Sequence, residues 1–242
     1  MAGERRLRIL GLLVDAPGEH PGPRRLCEVS AEVTGLNGAG ISVMAGDVNQ
    51  GSLGASDEVS RVIEEMQFAL GEGPCLDAHR DDRPVLEPDL LDPARLRWPA
   101  FSPPVLDAGG RAVFAFPLRL GAVRIGALDL YRDHPGRLTD EQHADALVVA
   151  DVVAEAVLMM QADAPPGLLA ATLVDGADLH PVVHQATGMV AVQLGVEVSE
   201  ALVRLKAAAF GDGRALDDVA REVLARTLRF DDDPAPGTNG ER

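Results

Sequence analysis

Two adjacent apolar segments near the middle of the 242-residue chain constrain its fold most strongly. Residues 111–120 and 122–131 are apolar at nearly every position, and a single glycine, Gly121, separates them. Such continuous apolar composition is typical of strands at the centre of a sheet whose two faces are both covered. We therefore predict a tight hairpin inside a sheet, with helices packed on both sides.

The segments that precede the hairpin predict further elements of the same domain. Helical spacing predicts a helix over about 24–33, and residues 41–45 are typical of a first strand. Ser56 is a candidate N-cap for a second helix, which the glycines from Gly71 onwards end. The predicted inward positions of this second helix are Val59, Val62, Ile63, Met66 and Leu70.

A long helix is predicted to follow the hairpin. Thr139 with Gln142 three residues later forms a capping-box signature, and the helical pattern runs to about Met160. This helix has two apolar sides, of which one domain can cover only one, so the second predicts a parallel homodimer. The first side carries Leu147, Val148 and Val152, and the second carries Val149, Val153, Ala156 and Met160.

The pattern changes after an Ala-Pro-Pro-Gly segment at 164–167, which is typical of a linker. Beyond it the sequence predicts helices only, so the fold class is α+β with two domains. The predicted helices cover about 181–194, 199–209 and 214–229. The predicted boundaries are a first domain with its long connecting helix over 1–162, a linker over 163–178, a helical domain over 179–230 and a disordered acidic tail over 231–242.

Charge is distributed unevenly along the chain. The formal net charge is −16, which argues against nonspecific nucleic-acid binding because such proteins are basic. Residues 179–230, however, contain six basic and six acidic side chains, so the remainder carries the whole net charge. The helical domain is therefore the part of the chain best suited to approach a phosphate backbone.

Several protein classes are disfavoured by the remaining composition. Cys27 and Cys75 provide neither a disulfide framework nor four zinc ligands. The apolar run 9–14 ends at Asp15, too early for a signal peptide, and no segment approaches the roughly 20 apolar residues of a membrane span. We expect a cytoplasmic protein with reduced thiols, no membrane association and no cofactor.

Cys75 and His79 are candidate reactive residues. Cys75 follows Pro74 at a predicted helix start, where the helix dipole favours a thiolate, so a redox switch and a buried inert thiol are both considered and the second is favoured. His79 lies one turn later, and such a pair could contribute to a metal or haem site. Two ligands do not make a site, and a surface histidine is the favoured interpretation.

The first domain resembles a known family. The segments 68–90, 97–101 and 111–133 resemble the GAF domain found in actinobacterial regulators. This resemblance implies a PAS-like sensor domain with an antiparallel sheet and a small-molecule ligand that the sequence does not identify. GAF folds also include a cysteine-dependent reductase, but with Cys27 and Cys75 as the only cysteines we expect no enzymatic activity.

Residues 184–224 resemble the ANTAR domain, a three-helix RNA-binding domain. The pattern consists of Ala186 and Gly188, Ala201 and Leu205, and Leu216 and Ala220. The resemblance implies a regulator that binds a two-hairpin element in nascent mRNA, so that a terminator does not form and transcription continues. The family commonly has a basic residue where this chain has Thr187. The absence of a basic side chain at this position removes one phosphate contact.

The resemblance places candidate RNA contacts on all three helices. Ala186 and Gly188 would leave a flat surface for a loop base, because RNA loops are recognised by stacking and base-edge contacts. Basic side chains would hold phosphates, with Arg214 and Arg221 two turns apart on one helix face. The candidate RNA-binding residues are His184, Gln185, Ala186, Thr187, Gly188, Arg204, Lys206, Arg214 and Arg221.

A second hypothesis stays open for the helical domain. The small residues are also what close helix packing requires, and the charges are also what a solvated surface presents. The chain would then keep the ANTAR fold without RNA binding and would act by dimerising or by docking a partner. Thr187 favours this alternative.

Overall fold

The computed structural model describes residues 2–13, 21–46, 48–162, 173, 177 and 179–230. The chain forms two compact units, Met1–Leu179 and His180–Arg242. The predicted linker (163–178), apart from residues 173 and 177, and the predicted tail (231–242) lie outside the described residues.

The first unit is built on a five-stranded antiparallel sheet with the order β2-β1-β5-β4-β3. The predicted hairpin is confirmed as β4 and β5, whose last pair before the turn is Leu120 with Val123. These two strands lie inside the sheet, as their continuous apolar composition predicted. The strands are β1 (Gly38–Ala45), β2 (Val48–Ala55), β3 (Val85–Glu87), β4 (Ala112–Leu120) and β5 (Val123–Arg132).

Helices cover both faces of this sheet. One face is covered by α2 (Pro23–Thr34) and α6 (Asp140–Gln161), and α1 (Ala2–Leu13) packs on these two helices. The other is covered by α3 (Glu58–Leu70) and α4 (Pro74–Asp81), with α5 (Ser102–Asp107) packed on α3 and a 3-10 helix (Pro93–Arg95) in the connection that precedes α5. The face under α1, α2 and α6 has the larger apolar core.

Helix α6 begins with the predicted capping box, which is confirmed. The amide of Gln142 donates to Thr139 Oγ1, and the amide of Thr139 donates to Gln142 Oε1, both at 3.1 Å. Gln142 Nε2 also donates to the carbonyl of Thr34 at the end of α2, so the same residue fixes α6 against its neighbour.

The assignment of the two sides of α6 was wrong. Val149, Val153 and Met160, predicted to face a twin subunit, are buried within one chain, whereas Leu147 is 42% exposed. The reason is α1, an amphipathic helix that was not predicted from the sequence, which packs on α6 together with α2. The homodimer stays a prediction, but these side chains do not support it.

Helix α3 presents a different face to the sheet from the one predicted. Its buried positions are Ser60, Ile63, Glu64, Gln67 and Phe68, so the inward face is rotated towards polar residues. The predicted N-cap was also wrong by one residue. Asp57 caps the helix, accepting a hydrogen bond from the amide of Ser60 at 2.8 Å.

The second unit contains three helices that pack on one another. The third is shorter than predicted and ends before Arg226, whose left-handed backbone (φ 62°) cannot continue a helix. In the described part of the chain, no single helix has the length and apolar composition to cross a membrane. The first two helices of this unit meet both criteria only as a pair, which is bent by 105°. The helices are α7 (Pro181–Leu194), α8 (Val198–Gly211) and α9 (Leu216–Leu224).

Candidate functional site

Buried polar side chains lie next to the apolar cluster where α3 crosses the sheet. Glu64 and Gln67 of α3 meet Asp129 of β5, and all three are buried. Gly40 of β1, which pairs with Asp129, makes room for them. A Cβ atom at Gly40 would overlap Glu64 Oε1, so no larger residue fits there without a shift of Glu64.

Gln67 connects the central strand to the start of α4. Its Nε2 donates to Asp129 Oδ2 at 2.7 Å, and its Oε1 accepts from the amide of Cys75 at the same distance. Gly73 before this helix is also required to be small, because a Cβ there would lie 2.6 Å from Gln67 Cγ. The position of α4 is therefore tied to the buried carboxyl groups.

Glu64 and Asp129 form a carboxyl pair without a basic partner among the described residues. Both oxygens of Glu64 and Oδ1 of Asp129 are buried and have no hydrogen-bond partner there. Burial raises the pKa of Asp129 from 3.8 to about 6. Burial and the neighbouring Asp129 charge raise the pKa of Glu64 well above its usual value. Both shifts favour the protonated carboxyl, so the pair binds protons more tightly than exposed acids do.

The thiol of Cys75 is neutral despite its place at a helix start. Burial, followed by the charges of Asp129 and Glu64, raises the pKa of Cys75 well above its usual value. Burial does the same to the pKa of Cys27, followed by the charge of Glu64. Both cysteines are free and buried. The geometry favours the inert thiol over the redox switch.

His79 is buried, so its interpretation as a surface histidine is wrong. Its Nε2 lies 2.8 Å from the carbonyl oxygen of Gly46. A carbonyl only accepts, so Nε2 carries the proton and donates. Nδ1 is buried without a partner among the described residues. The same residues contain no group of three side chains able to hold a metal ion.

A cavity of about 500 Å³ lies beside this cluster, within the range of small-molecule sites. Met44 connects the two, since it packs on Cys75 and also lines the cavity. Sequence reasoning missed this site, apart from His79 as a candidate residue. The side chains in its wall include Met44, Leu76, His79, Arg80, Arg97 and Trp98.

Asp77 organises the charged wall of the cavity. Its carboxylate accepts from Trp98 Nε1 at 3.1 Å, from Arg97 Nη2 at 2.9 Å and from Arg80. The Arg97 guanidinium lies over the Trp98 ring, 4.7 Å from its centre. Glu72, also in the wall, accepts from the amides of residues 100 and 101.

Two predicted RNA-binding residues in the second unit do not reach its surface. Ala186 and Thr187 are buried, so their prediction as RNA contacts is wrong. They lie on the side of α7 that packs against the other helices, and the Thr187 hydroxyl donates to the Val183 carbonyl at 2.7 Å. Gln185 is exposed, while His184 and Gly188 are half-buried.

The predicted phosphate-binding arginines all lie in ion pairs. Arg204 pairs with Glu200 at 2.8 Å, and Arg214 pairs with Glu222 at 2.5 Å. Arg221 contacts Asp217 and Asp218. Arg214 precedes α9, so the prediction that it shares a helix face with Arg221 was wrong. Lys206 is half-buried.

A family model for the GAF domain matches residues 24–157, more than half of the chain. No curated protein matches this chain. Among solved structures it is similar to a phosphoenolpyruvate-protein phosphotransferase GAF domain from Coxiella burnetii (13% identity, 66% of this chain and 95% of that chain, TM-score 0.49). It is also similar to a type II free methionine-R-sulfoxide reductase from Thermoplasma acidophilum (18% identity, 64% and 93%, TM-score 0.43). The family match shows that the chain belongs to the GAF domain family.

Proposed function

We propose that this GAF protein is a cytoplasmic, signal-responsive transcription antitermination regulator whose second unit binds hairpin elements in nascent mRNA. Membership of the GAF family indicates a signal-sensing regulatory role. RNA binding is the further step, and it rests on the resemblance of residues 184–224 to the ANTAR domain. We also propose that the protein has no enzymatic activity, because a cysteine-dependent reductase requires accessible thiolates and both thiols are buried and neutral.

The ANTAR pattern divides into packing residues and one exception. Ala186, Ala201, Leu205, Leu216 and Ala220 are all buried in the second unit. Gly188, by contrast, is half-buried, and a Cβ atom built there meets nothing within 4 Å. Five of the six pattern residues are therefore accounted for by the interior of this unit, and the glycine is not.

Gly188 is the observation that carries the proposal. It lies inside α7, where glycine is less favourable than alanine by about 1 kcal/mol, and neither backbone nor packing requires it. A missing side chain on a helix surface allows close approach of an outside group. An unstacked RNA base is a flat group of this kind, and exposed Gln185 lies beside it for contact with a base edge.

The ion-paired arginines are compatible with phosphate binding. Their pairs are partly or fully exposed, and pairs of this kind contribute only about 0–1 kcal/mol. A phosphate can therefore replace the carboxylate at Arg204, Arg214 or Arg221 at little cost. The acidic neighbours remain and repel RNA, so few phosphate contacts form and the salt dependence of binding is shallow.

Glycine-to-alanine substitution at position 188 separates the two roles. Gly188→Ala in the full chain should raise the stability of the second unit by about 0.5–1 kcal/mol, because alanine is the better helix former. The same substitution should weaken binding to a hairpin RNA, measured by fluorescence anisotropy against a scrambled RNA. A variant that is more stable and binds equally well would show that Gly188 has no role in RNA binding.

The arginines are tested with a matched control from the same unit. Arg214→Ala with Arg221→Ala should weaken hairpin binding and reduce the salt slope by roughly 0.7 for each phosphate that is no longer bound. Arg229→Ala, an exposed arginine outside the candidate set, should leave both unchanged. If the folded full chain shows no preference for hairpin over scrambled RNA, the antitermination proposal fails.

A specific observation favours the alternative, a partner-docking or dimerising protein without RNA binding. Val192, Val203 and Phe210 of the second unit are 84%, 65% and 65% exposed, and exposed apolar side chains are typical of protein interfaces. Val203→Ser with Phe210→Ser should leave RNA binding intact under the first proposal. Under the alternative the substitutions should abolish self-association, measured by sedimentation.

A further inference from the structure

The cavity of the GAF unit has one apolar side and one cationic side. Met44, Leu76 and the ring of Trp98 provide the apolar surface. Arg80 and Arg97 provide two guanidinium groups, both bonded to the carboxylate of Asp77. Its volume of about 500 Å³ accommodates a small organic molecule rather than a macromolecular segment.

The hydrogen-bond inventory of this wall indicates what kind of molecule fits. A guanidinium carries five N–H donors and no acceptor. Arg97 commits one hydrogen bond to Asp77 within the described part of the chain, and Asp77 already accepts from three side chains. Glu72 Oε1 likewise accepts from two backbone amides. The unused capacity is therefore mostly donor capacity, which an acceptor-rich anion would fill.

His79 provides an independent observation at the same cavity. It lines the wall and is 3% exposed, and its Nδ1 lacks a partner among the described residues. Nε2 is fixed as the donor to the Gly46 carbonyl, so in the neutral ring Nδ1 is an acceptor. A bound molecule would satisfy it with a donor such as a hydroxyl group on its body, not with an anionic head. An unpartnered buried nitrogen is rare in folded proteins, so a donor group is missing from its surroundings among the described residues.

We infer that the cavity between α4 and residues 97–98 binds a small organic anion, with a carboxylate or phosphate head and an apolar or aromatic body. The head lies against Arg80 and Arg97, where charge-assisted hydrogen bonds form. The body lies against Met44, Leu76 and Trp98. The inference deepens the sensor part of the proposed function, since it assigns a ligand class to the GAF unit.

Trp98 makes anion binding directly measurable, because it is the single tryptophan of the chain and lines the cavity. The full chain is titrated with phenylacetate and with phenyl phosphate while the tryptophan emission is followed. Saturable binding is expected for at least one of these anions. Phenylacetamide, a neutral analogue of nearly the same shape, should bind about tenfold more weakly because it lacks the charge-assisted hydrogen bonds. Phenethylamine, a cation, should bind no better than the amide.

Matched arginine variants locate the site. Arg80→Gln and Arg97→Gln should each weaken anion binding about tenfold. Arg83→Gln removes a nearby exposed arginine that does not line the cavity and should leave the affinity unchanged. Removal of the Arg97 guanidinium also changes the emission of Trp98, which lies beneath it. The affinity of each variant is therefore also measured by calorimetry, which does not depend on the tryptophan. Circular dichroism checks that each variant is folded.

Three results would overturn the inference. These are no saturable binding of either anion, equal affinity for phenylacetate and phenylacetamide, and equal effects of Arg80→Gln and Arg83→Gln. The measurement uses Trp98 of the GAF unit and contains no RNA. A failure here therefore leaves RNA binding by the second unit standing, and a failure of RNA binding leaves anion binding standing.

Discussion

The two faces of the GAF sheet are made by alternate residues of the same strands, yet they differ in kind. Under α1, α2 and α6, strands β4 and β5 present large apolar side chains such as Phe116 and Leu128, all buried. Under α3, the neighbouring positions of β1 and β5 are Gly40, Ser42 and Asp129. The first face supplies packing. The second combines a smaller apolar cluster with buried polar groups beside a cavity.

The two faces also differ in how they treat a buried acid. Asp145 of α6 is buried, and Arg5 and Arg8 of α1 bond to its two oxygens at 2.6 and 3.1 Å. Glu64 and Asp129 have no such partner among the described residues, and burial raises the pKa of both carboxyl groups instead. A buried carboxylate is thus stabilised in its charged form where arginines contact it, and protonation is favoured where no basic side chain does. The second arrangement responds to pH.

The largest effect is expected from the apolar face. Phe116→Ala removes a fully buried ring and should lower the free energy of unfolding by about 3–5 kcal/mol. Leu86→Ala on β3, where the side chain is partly exposed, is the control and should change it far less. Urea unfolding followed by Trp98 emission reports on this unit. Equal effects would show that the face does not act as the main core.

The carboxyl pair should make stability fall as pH rises. The pKa of Asp129 is raised to about 6 and that of Glu64 is raised well above its usual value, so the folded chain binds more protons than the unfolded chain above about pH 4. Between pH 5 and 8 we expect a loss on the order of 2 kcal/mol, since one pKa unit corresponds to about 1.4 kcal/mol.

Glu64→Gln tests that assignment, because it keeps the shape and removes a titrating group. The decline of the unfolding free energy between pH 5 and 8 should become shallower in this variant. Glu65→Gln, the exposed neighbour on α3, should keep the slope of the unsubstituted chain. A slope that is identical in both variants would assign the pH dependence to the overall charge of −16 instead.

The contrast between the faces explains what the sequence could predict. The apolar strands β4 and β5 and the capping box of α6 follow from composition and spacing, because packing and local hydrogen bonds determine them. Helix α3 did not follow, because apolar periodicity selects Val59 and Met66 as inward residues, whereas Glu64 and Gln67 are buried. A buried polar position contradicts the pattern on which such predictions rest.

A usable signal for the site was nevertheless present. Asp129 interrupts the apolar run of β5, and an acid inside a fully buried strand must be neutralised or protonated. Its partner Glu64 is 65 positions away in the sequence, so only the fold brings them together. Helix α1 was missed for a related reason, since besides its buried Ile9 and Leu13 it is joined to α6 by ion pairs from Arg5, Arg6 and Arg8 to acids far away in the sequence. The RNA-binding candidates Ala186 and Thr187 were misplaced because small residues suit both a flat surface and close packing.

A smaller effect is expected at Gly40, the glycine that admits the carboxyl pair. Gly40→Ala places a methyl group well inside van der Waals distance of Glu64 Oε1 and should destabilise the unit by about 1–3 kcal/mol through overpacking. Gly11→Ala in α1, where a Cβ meets nothing within 4 Å, is the control and should be neutral or stabilising. Adding Glu64→Ala to Gly40→Ala should recover part of the stability, and no recovery would mean that the clash lies elsewhere.

The smallest effect is expected at Asp145, the buried acid that is paired with arginines. At high pH its substitution should change the free energy of unfolding in the opposite direction to Glu64→Gln. Asp145→Asn removes the charge that Arg5 and Arg8 contact, so the chain should become less stable by about 1 kcal/mol, a modest value because both arginines are partly exposed. The effect should shrink in high salt, which screens exposed charges. Arg24→Gln, in the exposed pair with Glu28, is the control and should have almost no effect.

At pH 8, Glu64→Gln should stabilise the fold while Asp145→Asn destabilises it. If both substitutions shift the urea midpoint in the same direction, the distinction between a paired and a protonated buried acid does not hold.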